Sequence, residues 1–238
     1  MTNNFSNQIY QSPKTLSYLA IAGLLLVGLA EFSSVILGIG QIIRPTSMLG
    51  GGQPLWISLQ AIVAILQLPC QIFTVVFFLI WLNRVNKNLT PLQADYVEYS
   101  SGWAVGWWFI PFANLVKPFQ VVKEVWNQSD PDIDPDVNFL SSSVGSSSLL
   151  TFWWATWILS NIATNISSRM FDVKNPRDLE LAGYMFITSG IFTIVAAILA
   201  INVVKGITDR QEARILKVMT FKQPFQQPPP PPNFNQNY

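Results

Sequence analysis

"GWAVGWWFIPFANL", residues 102–115, carries three tryptophans and a central proline and no charge. Whether it crosses a bilayer decides the topology of everything around it. From Gly102 to Lys117 a helix reaches about 24 Å at 1.5 Å per residue, short of the roughly 30 Å of hydrocarbon in a bilayer. Pro111 worsens the shortfall, because an interior proline removes a backbone hydrogen bond and clashes with the preceding turn. Gly102 and Gly106 loosen the first half, and Trp103, Trp107 and Trp108 are of the type that settles at headgroup level. The stretch therefore reads as a Pro-broken re-entrant or interfacial segment. Its alternative is an ordinary fifth helix, kinked at Pro111.

The rest of the chain argues for a membrane as solvent. Half of the 238 residues are hydrophobic and only 11% are charged, too little polar surface for a water-soluble globule. Long uncharged runs at 16–43, 55–82, 149–168 and 181–204 each reach the length needed to span. A lipid-exposed backbone must satisfy its own polar groups, and no alternating strand pattern is present, so the expected fold is an all-α membrane protein. It has four transmembrane helices plus the broken segment, or five helices in the alternative. The first run continues past the small residues at 27–30, which favours an uncleaved anchor over a signal peptide. The expected organisation is a disordered N-terminus 1–14, a membrane domain 15–214 with a re-entrant or interfacial segment 102–127 and a linker 128–148, and a disordered tail 215–238.

Charge supplies an independent test of the broken segment. If 102–115 does not cross, one side of the membrane holds ten Lys and Arg residues and the other four; if it crosses, the sides hold six and eight. Only the first arrangement gives a positive-inside bias, which places both termini in the cytoplasm and the chain in the inner, cytoplasmic membrane.

Several blocks follow one another in a recognisable order: "WLNRVNKNL" (81–89), "SSGWAVGWWFIPFANLVKPFQVVKEVW" (100–126), "FWWATWILSNI" (152–162) and "VVKGITDRQEAR" (203–214). Over 55–214 the chain resembles a family of bacterial multi-pass membrane proteins catalogued only as a domain of unknown function. Trp81, Arg84, Asn88, Gly102, Trp103, Trp107, Pro111, Asn114, Pro118 and Glu124 carry the resemblance, which implies a structural role for them. The chain departs from the family at Ser101, Lys117 and Gly206, where proline, arginine and a basic residue are usual. The resemblance implies a membrane location and a shared architecture, and no established activity.

With no histidine and one cysteine, Cys70, the chain lacks His metal sites, Ser-His or Cys-His catalysis and paired-thiol redox chemistry. No enzyme and no cofactor are expected. Glu31 is the one acidic residue deep in an apolar run, and a carboxylate there is costly enough to need a reason. It shares a face with Gly23, Val27, Ser34 and Gly38, small residues that let another helix approach. It reads either as a proton or cation site or as a hydrogen-bonded packing residue. Gln60, Gln67, Gln71 and Thr74 form one polar stripe on the second run, and Trp157, Asn161, Thr164, Asn165 and Ser168 another on the third. Mutual hydrogen bonding between these stripes is the plainer expectation, and a polar pathway is the sharper one. Arg84 and Glu124 are expected to pair, or to share a cluster with Asn88 and Asn114.

After Pro118 the chain spaces Phe119, Val122 and Val125 on one face, as in a helix lying in the interface plane. "SDPDIDPDV" (129–137) lacks the glycine and glutamate of a calcium loop. The helix beyond Val204 is basic and amphipathic, suited to anionic headgroups. Five consecutive prolines in the tail give polyproline II character and an opening for a cytoplasmic partner. The other expected partners are the lipid bilayer and a second copy or another membrane protein; nothing points to nucleic acid. Two function classes result: a membrane interaction or scaffold protein, which the absence of an internal repeat and the small number of spans favour, and, as the alternative, a small-solute or ion permeation component built on Glu31 and the amide stripes.

Overall fold

The computed structural model describes residues 9–43, 55–94, 97–132, 148–170 and 176–222, and among these every regular element is helical. The elements are α1 (Lys14–Ile43), α2 (Leu55–Lys87), α3 (Ser101–Gly106), α4 (Lys117–Gln128), α5 (Ser148–Met170) and α6 (Pro176–Lys222). Three of them contain stretches long and apolar enough to cross a membrane: Lys14–Gly40, Ser58–Lys87 and Gly183–Thr220. Helix α5, about 34 Å long at 1.5 Å per residue, has the reach. Its serines, threonines and asparagines keep it out of that apolar class.

Outward-facing Leu25, Leu29, Phe32, Ile62, Leu66, Ile162 and Ile198 are all exposed. A belt of that size is untenable in water and is what acyl chains satisfy. Helix α1 packs against both α2 and α6, and α6 also packs against α5, whereas α2 and α5 make little contact with each other. The four long helices thus form a bundle with one open seam. Close approach at the crossings depends on glycine: a Cβ on Gly23 would meet Thr74 Oγ1 of α2 at 2.7 Å, and one on Gly190 would meet Val35 Cγ2 of α1 at 2.6 Å. The small-residue face around Glu31 divides between two neighbours, since Gly23 faces α2 while Gly38 faces Ile187 of α6.

The stretch 102–115 does not form one continuous helix. It folds as α3, a 3₁₀ turn Trp107–Phe109, a reversal at 110–112 and a second 3₁₀ turn Ala113–Leu115. Phe112 sits at φ 64°, where Pro111 C=O accepts from Ala113 N–H at 2.8 Å in a γ-turn of the strained kind. Both ends of the hairpin lie at the same end of the bundle. Asn83 of α2 donates to Ser101 C=O at 2.7 Å, and Tyr99 donates to Gln120 of α4 at 3.0 Å. Glu124 of α4 accepts from the backbone N–H groups of Glu98 and Tyr99. Pro111 thus reverses the chain rather than kinking one continuous helix.

This end of the bundle carries a compact cap, and several sequence expectations change there. The apolar face of α4, with Val121, Val122 and Val125 fully buried, turns into protein rather than into headgroups. Beyond Val204, α6 likewise buries Ile207, Thr208, Gln211, Arg214 and Val218 in the cap instead of laying a free basic face on lipid. It continues helically to Lys222, so 215–222 belong to the helix and not to the tail; residues 223–238, including the prolines, lie outside the described residues. So do 1–8 and 133–147, most of the expected N-terminal and linker segments.

The described part of the N-terminal segment is strapped down. Gln11 and Asn88 exchange two hydrogen bonds, at 3.3 and 2.8 Å. Glu212 accepts from Tyr10 at 3.0 Å and from Ser12 at 2.5 Å, and pairs with Lys14 at 3.2 Å. Burial pushes the Glu212 carboxyl up, but the donations from Ser12, Tyr10 and Lys14 outweigh it and hold the group below its usual 4.5. A depressed carboxylate stabilises above its unfolded pKa and loses that contribution as pH falls through the folded value. Amide protection of Gln11, corrected for intrinsic exchange, is therefore expected to stay flat from about pH 7 to 5 and to collapse below about pH 4. Equal protection at every pH would refute the latch. Glu124 behaves oppositely: burial raises it, backbone donation from Glu98 and Tyr99 only partly offsets this, and its contribution fades as pH rises through the folded value.

Candidate functional site

Between the stripes of α2 and α5 lies a cavity of about 390 Å³. The sequence places its walls by helical spacing. On α2 Gln67, Gln71 and Thr74 fall on one face, on α5 Trp153, Trp157, Ser160, Asn161 and Thr164 do the same, and all of them line the space. Helix α1 contributes Leu24, Val27 and Glu31, and α6 supplies a back wall of Thr193, Ala196, Ala197 and Ala200 whose short side chains leave the volume empty.

The two polar stripes face each other across this space. Hydroxyls and amides on α5 bond their own helix: Ser160 and Asn161 to Trp157 C=O at 2.8 and 2.7 Å, and Thr164 to Ser160 C=O at 2.8 Å. Thr74 likewise bonds Cys70 C=O at 2.7 Å. Among the described residues the cavity-lining members of the two stripes do not make the mutual hydrogen bonds expected from the sequence but form two walls of a cavity. Polar groups paired in this way carry only a modest desolvation penalty while keeping acceptor capacity toward the lumen.

Glu31 reaches the cavity and accepts from Gln67 Nε2 across the α1–α2 interface. Glu31, Gln67, Gln71 and Asn161 are thus brought together. Gln60 and Asn165 are not: Gln60 lies outside the lining, and Asn165 is exposed and donates to Asn161 C=O at 2.8 Å on its own helix.

At the capped end the cavity is closed by aromatic rings. Trp108, from the re-entrant hairpin, stands edge-on to Phe78 at 5.5 Å and to Trp154 and Trp157 at 6.0 Å each, and Phe78 reaches Trp153 at 6.3 Å across the seam. Trp154 ties this plug to the hairpin by donating to Leu115 C=O at 2.9 Å. Broken-helix wedges of this kind are tolerated at membrane depth only where protein covers them. The hairpin thus places Trp108 across the capped end of the seam.

The remaining motif residues build the cap. Trp81 donates to Thr208 at 3.2 Å, Asn88 donates to Gln211 at 3.1 Å, and Gln211 donates to Val85 C=O at 2.8 Å and Ser129 Oγ at 3.1 Å. Pro118 is buried in the first turn of α4, and Trp103 lies 4.7 Å from Trp107, whose face receives Lys117 at 5.7 Å. Gly102 has open space around it. Arg84 and Glu124 do not form an ion pair among the described residues, and Asn114 makes no side-chain bond to either there. Glu124 is occupied by the 98–99 backbone, which satisfies it more fully than one surface cation would.

Sequence reasoning missed Arg214 altogether. Its guanidinium donates to Leu92, Gln93, Gln128 and Asp130 C=O at 2.9, 3.1, 2.9 and 3.0 Å. Trp108, Trp153 and Thr193 were also missed as cavity residues, although the four-residue step from Trp153 to Trp157 was visible in the sequence.

No curated protein and no solved structure matches the chain. Residues 56–209, from the start of α2 through the cap-forming turn of α6, match a family described as a domain of unknown function, DUF4328. That match spans well over half of the sequence and contains both the re-entrant hairpin and three walls of the cavity, and the chain belongs to the DUF4328 family.

Proposed function

We propose that this is a four-span protein of a bacterial inner membrane with its capped end in the cytoplasm, and that its cavity binds a small solute in permeation or transport. The cavity reaching Glu31 carries this reading. Its volume falls in the range of about 300–1,000 Å³ usual for small-molecule sites, and convergent polar groups on mostly apolar walls are the usual lining. Residues 9–14, 84–94, 97–132 and 205–222 gather at the capped end, which supports an even number of crossings and the lysine- and arginine-rich side as cytoplasmic. A scaffold would be served better by a dry, filled interior.

Reconstitution tests it. Proteoliposomes holding the full chain are expected to take up at least one of radiolabelled glycerol, acetate or tetraethylammonium at least fivefold faster than protein-free vesicles. Glu31→Gln is expected to change that rate by a similar factor, since it alters charge and little else. Uptake equal to that of empty vesicles for all three probes, together with crosslinking to a stoichiometric membrane partner, would return the protein to the scaffold class.

A further inference from the structure

We propose that the cavity takes an apolar organic monocation, of the quaternary ammonium or phosphonium type, with its charge near Glu31 and its apolar body against the tryptophan plug. This rests on the solute-binding reading above and gives it a ligand class.

Three features on different elements converge. First, among the described residues Glu31 is the only ionisable side chain in the lining, which includes neither lysine nor arginine. A carboxylate at membrane depth needs compensation, and Gln67 supplies one neutral donor to one of its oxygens. Opposite charge is the larger compensation available. Second, the far wall is made of the rings of Phe78, Trp108, Trp153 and Trp157. These rings give the ligand's organic body an apolar wall to pack on, while its charge lies toward Glu31. Third, α2 and α5 leave the seam between them open on flanks of exposed leucine and isoleucine. A ligand that partitions into acyl chains reaches this cavity sideways; a hydrated ion does not.

The competing ligand classes match less of the site. An anion meets the Glu31 carboxylate, a group of its own sign. A neutral solute gives an ionised Glu31 no countercharge. A hard metal ion requires about six oxygen ligands in a close shell and gains nothing from four rings. Among the described residues no group of acidic or histidine side chains is placed to hold one.

The test is equilibrium dialysis of the full-length chain in mild detergent with three triaryl or tetraaryl probes: tetraphenylphosphonium, its isosteric anion tetraphenylborate, and neutral triphenylphosphine oxide. Saturable binding of the phosphonium at one site per chain is expected, with no competition from the borate. Glu31→Gln, which retains an acceptor for Gln67, is expected to weaken phosphonium binding at least tenfold, Glu31→Asp by less, and Trp157→Leu severalfold. The cation-against-anion comparison needs no variant, so a misfolded mutant does not cloud it. Equal competition by the borate, or phosphonium binding unchanged in a monodisperse Glu31→Gln protein, would overturn the proposal. Saturable binding of the phosphine oxide alone would overturn it while leaving the cavity reading standing, and binding of none of the three would count against both.

Discussion

Arg214→Ala is expected to unfold the cap. Arg214 is 3% exposed and its fork gathers four carbonyls, two from the chain leaving α2 and two from the end of α4. Alanine removes the donor and leaves those acceptors buried, each at a cost of about 1–3 kcal/mol when unsatisfied. Water entering the vacated space recovers part of this, so a net loss of roughly 3–5 kcal/mol is expected, as for breaking other buried charged networks. For a chain of this size that corresponds to a fall on the order of 10 °C in Tm, read by thermal denaturation in detergent. Arg214→Lys keeps the charge but not the fork and should recover less than half. A loss under about 1 kcal/mol for the alanine variant would show that Arg214 is solvated and that the cap is held by something else.

Gly206→Leu is the second large effect. A Cβ at position 206 would stand 2.7 and 2.8 Å from Trp126 Cζ3 and Cη2, nearer than real Cβ contacts. The ring must move, and with it the Arg210 guanidinium stacked 4.2 Å above it and bonded to Asp130 at 3.2 Å. Overpacking costs about 1–3 kcal/mol, and the lost cation–π contact adds about 1 kcal/mol. The clash and the ring belong together, so Trp126→Leu combined with Gly206→Leu should cost clearly less than the two changes added. Strict additivity in that double-mutant cycle would contradict the packing described.

Much of this was legible in the sequence. Composition and run lengths announced the helices, because a bilayer imposes a length and a polarity that any span must meet. Pro111 and the short reach of 102–115 announced the hairpin for the same reason. The helical spacing of Gln67, Gln71 and Thr74, and of Trp157, Asn161 and Thr164, fixed which side chains share a face. What spacing does not fix is the distance between two faces, so contact and cavity read alike; the alanines of α6 that hold the walls apart look like ordinary filler. Arg214 was hidden for a related reason. A cation in an amphipathic helix after a span looks solvated until the carbonyls from residues 84 to 122 positions away are placed around it.

The central claim is that the space reaching Glu31 is open to solute, and thiol reactivity measures this most directly. A thiol reacts as thiolate and so requires water. In a Cys70→Ser background, cysteines at Asn161, which lines the cavity, at Ile162, which faces outward, and at Ala163, which is buried, differ by one position each. The account predicts that N-ethylmaleimide modifies Asn161→Cys in liposomes at least tenfold faster than either neighbour, and that Ala197→Trp, by filling the cavity, removes the difference. Equal, slow modification at all three positions would mean a dry and closed bundle, and would contradict the account.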